Sequence, residues 1–149
     1  MTAKKLGRQT AALAAPPRVL CAANVVGHME GEGPLSACFD FIEQDDTFGE
    51  PTWERSERAM QQKALALALE KGGLSAQQLD YLFAGDLLNQ CVSSSYAARE
   101  QKIPFFGLYG ACSTFGEGLI LAAMALDGGF GTRAGVVVSS HFSTAERQY

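Results

Sequence analysis

Cys112 has the strongest claim to chemistry in this sequence. It follows an apolar stretch and the turn Gly110-Ala111, and it opens a segment with helical patterning. At a helix start, unpaired backbone N–H groups and aligned peptide dipoles stabilise an anion, so a thiol placed there tends to ionise. Nucleophilic catalysis also needs a base within reach and donors for an oxyanion. Spacing alone supplies neither, and a structural or helix-capping cysteine fits the same local sequence. Asp86 lies just past an apolar strand in Gly85-Asp86-Leu87-Leu88-Asn89-Gln90, and His141 lies just past another in Ser139-Ser140-His141-Phe142. Such strand ends line the crevice of open α/β sheets, where ligands bind, so Asp86, Cys112 and His141 are positioned to converge. Asp86 reads equally as a helix N-cap, and His141 equally as a satisfied, partly buried histidine. Arg147 could clamp a carboxylate with two hydrogen bonds, although a surface pair with the adjacent Glu146 is the simpler reading. His28, in a glycine-rich loop, reads as solvated.

The elements that must position these residues follow from periodicity. Thr52 can cap a helix in which Trp53, Met60, Ala64 and Leu67 recur near helical spacing until Gly72-Gly73 stops it. Ser75 and Gln78 form a capping-box pair for one short turn. The run Tyr81-Leu82-Phe83-Ala84, ending at Gly85-Asp86, reads as a buried strand. A helix from Asn89 or Gln90 to Glu100 leads to a second strand over Ile103 to Leu108, with Pro104 at its edge. Gly110 to Thr114 opens a helix that reaches about Asp127 and stops at Gly128-Gly129, before the β-branched strand Val136-Val137-Val138. Strands alternating with helices predict an α/β fold with a mostly parallel sheet. The segment from Ser113 to Asp127 is apolar nearly all round, with Phe115, Leu119, Ile120, Leu121, Met124 and Leu126. Such a helix requires cover on every side.

Length and composition narrow the possible functions. The 149 residues suit one domain, and the 47% hydrophobic content supplies a core, so disorder over most of the length is excluded. With 12 Lys and Arg against 16 Asp and Glu, the net charge of −4 leaves no basic excess for a phosphate backbone, and nucleic acid is a poor partner. The acidic stretch Glu30 to Glu50 reads as a solvated face or loop, and Gly27, Gly31 and Gly33 lack the strand-turn-helix setting of a nucleotide-binding loop. Cys21, Cys38, Cys91 and Cys112 are scattered, without metal-ligand spacing, and read as free thiols of a reducing compartment. No metal or cofactor is expected. The apolar run Leu119 to Leu126 is far short of the roughly 20 residues that span a bilayer. No secretory signal is expected before Pro16-Pro17.

Taken together, these segments resemble the stage V sporulation protein AD family, a branch of the thiolase-like fold of spore-forming bacteria. The likeness rests on Val25-Val26-Gly27 with Glu30-Gly31-Glu32-Gly33-Pro34-Leu35, on Asp45-Asp46-Thr47-Phe48-Gly49-Glu50, and on Ala84 to Gln90. It continues through Ile103 to Thr114 and Ser139 to Phe142, and ends with Ala145-Glu146-Arg147-Gln148-Tyr149. The resemblance implies a non-catalytic protein that binds dipicolinic acid and assists its uptake into the developing spore with membrane-embedded partners. It would be cytoplasmic or peripheral at the spore inner membrane. The ligand-binding candidates are Asp86, Cys112, His141 and Arg147, with Cys112 standing where condensing enzymes carry their acyl-accepting cysteine. An ionised Asp86 would repel a dicarboxylate, which makes it the least secure of the four.

The resemblance also implies that residues 1–149 are the amino-terminal half of a thiolase-like αβαβα fold with a buried central helix, without the last strand of that half. The missing half, or a second copy in a homodimer, would then cover the helix after Cys112. Condensing enzymes draw their catalytic histidines from the other half. Two rival readings remain: an acyl-transferring enzyme with Cys112 as nucleophile, and a scaffold that docks on membrane partners without a small ligand.

Overall fold

The computed structural model describes residues 4–87 and 90–140. A short hairpin comes first, with β1 (Lys5–Leu6) antiparallel to β2 (Thr10–Ala11). The turn between them contains Gly7 at φ 73°, a left-handed conformation that suits glycine. Next, β3 (Val25–Val26) pairs in parallel with β4 (Phe41–Ile42) around a one-turn helix, α1 (His28–Gly31), and a 3-10 turn, Ser36–Cys38. These two-residue ladders escape sequence reading because they are too short to show alternation. The stretch read as loop from Gly27 therefore contains a helical turn, closed by the Gly31 amide on the Gly27 carbonyl.

The long helix α2 (Trp53–Gly72) starts as its sequence predicts. Thr52 is extended and its hydroxyl accepts the Arg55 amide at 3.4 Å, while Gly73 ends the helix in the left-handed region at φ 61°. Its buried face is Ser56, Glu57, Gln61 and Leu65. It is rotated away from the Trp53, Met60, Ala64 and Leu67 stripe read from the sequence, whose members are half-buried. The Ser75/Gln78 capping box is present. It feeds β5 (Tyr81–Asp86), then α3 (Val92–Gln101), β6 (Phe105–Gly107), α4 (Thr114–Asp127) and β7 (Ala134–Ser139). Helix α3 begins two residues later than expected, because Gln90 and Cys91 take left-handed conformations at φ 54° and 67°. The second strand is shorter than its apolar run. Pro104 has no N–H to donate, and its carbonyl instead accepts the Leu82 amide at 2.8 Å.

Strands β6, β5 and β7 form a fully parallel sheet in that order, with β5 at the centre. Alternation along β5 sends Leu82 and Ala84 to one face and Phe83 to the other. Leu82 and Ala84 pack with Leu65 of α2, Ala98 of α3, Ile103 and Val137. Phe83 packs with Leu108 and with Ala122 of α4. Leu82 is 1% exposed, and burial of such a side chain contributes about 1.5–3 kcal/mol. Gly118 lets α4 lie close on β7, since a Cβ there would stand 2.7 Å from Val136 Cγ1.

The sheet covers one side of α4. Phe115, Leu119, Ile120 and Met124 on its other side are 43–62% exposed. The all-round cover that the sequence requires for this helix is thus half supplied by the described residues. Among them no helix is long and apolar enough to cross a membrane.

Candidate functional site

The carboxyl ends of β5 and β7 meet the first turn of α4 at a cleft of about 180 Å3. Gly85, Asp86, Cys112, Phe115 and Ser139 are among the residues that line it. Gly85 makes the approach possible: a Cβ there would lie 2.3 Å from the Leu108 carbonyl oxygen and 2.5 Å from Thr114 Cγ2. The turn that carries Cys112 is pinned from within. Thr114 Oγ1 accepts the Gly110 amide at 3.0 Å and donates to the Ala111 carbonyl at 2.8 Å, and Ser113 Oγ donates to the Gly110 carbonyl at 2.7 Å. Ala111 is held at φ 48°, a left-handed conformation that costs a non-glycine residue about 1–3 kcal/mol. Cys112 is exposed at this turn.

Asp86 reaches the cleft wall, but its carboxyl group turns toward α3. Oδ2 accepts the Ser94 amide at 2.8 Å and the Ser94 hydroxyl at 2.6 Å, so a strand residue caps the first turn of α3. Asp86 is 2% exposed. Burial pushes its pKa above the usual aspartate value, against the lowering pull of the Ser94 hydroxyl and backbone hydrogen bonds. His28 pairs with Asp46, Nδ1 to Oδ1 at 2.9 Å, rather than standing alone in solvent. It is remote in sequence from the residues that line the cleft. Of the four sequence-derived candidates, the structure brings Asp86 and Cys112 to one cleft. His141 and Arg147 lie outside the described residues.

Behind the cleft runs a buried polar chain that sequence reasoning missed. Ser94 Oγ, which donates to Asp86, accepts from Gln61 Nε2 at 2.8 Å. The same Nε2 lies 2.9 Å from both the Gly85 carbonyl oxygen and Ser139 Oγ, so its two hydrogens are shared among three acceptors. Ser139 Oγ then donates to Glu57 Oε1 at 2.7 Å. The chain joins α2, α3, β5 and β7 immediately below the cleft floor, and Glu57, Gln61 and Ser94 are at most 1% exposed. The available signal was the i, i+4 spacing of Glu57 and Gln61, which places both on one helix face. On a polar stretch of α2 that spacing reads as a wet face.

Comparison with known proteins agrees with this architecture. Residues 7–149 match the family model described as stage V sporulation protein AD (SpoVAD). The chain is 42% identical over 146 residues to the stage V sporulation protein AD of Bacillus subtilis (strain 168). That alignment covers 98% of this chain and 43% of the relative, so the chain spans less than half of the relative's length. Among solved structures, the priming β-ketosynthase of the R1128 polyketide biosynthetic pathway is similar, with a TM-score of 0.55 and 25% identity. The match covers 63% of this chain and 29% of the ketosynthase. The α/β sheet with its cysteine-bearing turn and helix is thus of thiolase-like type, and the chain belongs to the stage V sporulation protein AD family.

Proposed function

We propose that the chain supplies one wall of a non-catalytic binding site for dipicolinic acid, and that it assists dipicolinate uptake into the developing spore beside membrane-embedded partners. The cleft at the first turn of α4 carries this reading. A helix start favours a carboxylate, and about 180 Å3 is below the 300–1,000 Å3 usual for drug-sized ligands. That size suits a ligand with a single ring. The repulsion expected from Asp86 is reduced in two ways: Ser94 donates two hydrogen bonds to its Oδ2 from the α3 side, and burial favours its neutral form. In this reading Cys112 is part of the wall, and His141 and Arg147 are the cationic candidates, proposed from sequence alone.

Calorimetry with dipicolinate tests the proposal, first on the chain alone and then on the chain mixed with the remaining portion of the Bacillus subtilis relative. Weak or absent binding alone and clear binding in the mixture is the expected pair of results. Tight one-to-one binding by the lone monomer contradicts the single-wall arrangement, and no binding in either sample contradicts the ligand.

One observation favours a second reading, acyl transfer through Cys112: the thiol is exposed at a helix start in a fold similar to that of a ketosynthase. That reading requires covalent capture of a labelled acyl-CoA, abolished by Cys112→Ala.

A further inference from the structure

Asp86 differs from the other polar groups at the cleft. It lines the cleft, yet it is 2% exposed. Its two oxygens are served unequally. Oδ2 takes both hydrogen bonds from Ser94, at 2.8 and 2.6 Å, while Oδ1 is buried without a hydrogen-bond partner. An ionised carboxylate needs donors at both oxygens, and leaving one bare in the interior is costly. A neutral carboxylic acid suits the place better, with Oδ2 as the acceptor and the proton on Oδ1. The bare oxygen is a property of this chain alone, since an atom with almost no exposed surface is out of reach of any other molecule.

Little charge surrounds it. On the sheet, β6 and β7 carry no titratable side chain, β7 places Ser139 opposite Asp86, and Tyr81 lies at the other end of β5. The turn before α4 contributes the Cys112 thiol, and Glu117 follows in the first turn of α4. Ahead of α3 stands Cys91, and the charges of α3 itself, Arg99 and Glu100, lie in its last turn. Helix α2 turns Glu57 inward at the far end of the polar chain, whereas Arg58 is drawn off by Glu50 and Glu100, at 3.8 and 3.7 Å. None of these charges is among the causes of the raised Asp86 pKa. Burial raises it, against the pull of the Ser94 hydroxyl and of the Ser94 and Cys91 amides.

From this arrangement we propose that the cleft takes a carboxylate ligand together with a proton held on Asp86, so that anion binding and Asp86 protonation are coupled. The proposal rests on the reading of the cleft as a carboxylate site, and it adds how that site is regulated. A second negative charge in the same small cleft makes Asp86 harder to ionise. By reciprocity, a proton already on Asp86 raises the affinity for the anion by the same factor. At a separation on the order of 10 Å, within a cleft of about 180 Å3, the shift is roughly one pH unit and the coupling roughly tenfold. Affinity is then highest below the pKa of Asp86 in the empty cleft. It falls as pH rises from that value to the ligand-bound value, and it levels off above the latter. Within that window binding draws up to one proton from solution, and outside it none.

Alkylation of Cys112 tests the coupling without relying on the ligand. In a chain carrying Cys38→Ser, which removes the other exposed cysteine, iodoacetate places a carboxylate in the cleft and iodoacetamide a neutral group of nearly the same size. Carbon-13 NMR of the Asp86 carboxyl carbon, assigned through its own backbone, should show ionisation about one pH unit higher in the carboxymethylated chain. Equal midpoints overturn the proposal. Calorimetry with dipicolinate follows, on the chain mixed with the remaining portion of the Bacillus subtilis relative, in buffers of different ionisation enthalpy. The parent should take up protons on binding and Asp86→Asn should take up none. Binding without proton uptake, or uptake that persists in Asp86→Asn, overturns the proposal and leaves the ligand reading standing. A shifted midpoint in the alkylated chain with no dipicolinate binding in the mixture supports the coupling and removes the ligand reading instead.

Discussion

The two faces of the central sheet are finished to different degrees. The face under α2 and α3 is sealed. Leu82 and Ala84 are each 1% exposed, and a continuous chain of hydrogen bonds from Asp86 to Glu57 uses the donors of Gln61, Ser94 and Ser139. The face under α4 is sealed beneath the helix and bare above it. The first face is fixed by directional hydrogen bonds as well as by apolar packing, even though Gln61 Oε1 is buried there without a hydrogen-bond partner. The second is specified by apolar contact alone on its inner side, and its outer side is left to another molecule or another stretch of chain. The candidate cleft lies where these two faces meet.

The largest effect expected from breaking this contrast is at the shared strand. Leu82→Ala on the sealed face should cost about 2–5 kcal/mol of unfolding free energy. Ile120→Ala, measured by urea titration at a concentration where the chain is monomeric, should stay within about 0.5 kcal/mol of the parent. Equal losses would show that the outer side of α4 is packed after all.

A smaller effect comes from the polar chain. Gln61→Leu removes the donor shared by the Gly85 carbonyl, Ser94 and Ser139, and should cost about 1–3 kcal/mol through the acceptors left unsatisfied. Gln61→Glu offers acceptors where donors are needed and should cost no less. If both variants melt with the parent, the chain has no part in fixing the cleft floor.

How much of this was legible in the sequence depends on what kind of signal each feature leaves. Helix α2, the strand at Tyr81, helix α4 and the strand at Val136 were readable because apolar periodicity and glycine stops mark them. Asp86 and Cys112 were readable as strand-end and helix-start residues, and the structure places both at the cleft. The polar chain was not legible, since Glu57, Gln61 and Ser94 look like ordinary surface residues of amphipathic helices until the sheet position is known. The rotation of the buried face of α2 has the same origin. Trp53 and Met60 fit a helical stripe, yet the tie to Gly85 and Ser139 turns Gln61 inward instead. The pair His28–Asp46 joins residues 18 positions apart through a parallel ladder of two residues, which leaves no periodic trace.

The smallest expected effect is a pH dependence. Asp86 has a raised pKa in the folded chain, so its contribution to stability is fully present below the unfolded value near 3.8 and is lost as pH rises through the folded value. Asp86→Asn should flatten that part of the stability profile while keeping an oxygen for the Ser94 amide and hydroxyl. An unchanged slope between the parent and the Asn variant would show that Asp86 titrates normally.

The contrast between a sealed and an open face is tested most directly by hydroxyl-radical footprinting of the parent chain, at a concentration where sedimentation shows a monomer. Rapid modification of Phe115 and Met124, with Leu82 and Phe83 protected, is the predicted result. Protection of all four residues in the monomer would contradict the account, because the chain would then cover α4 by itself.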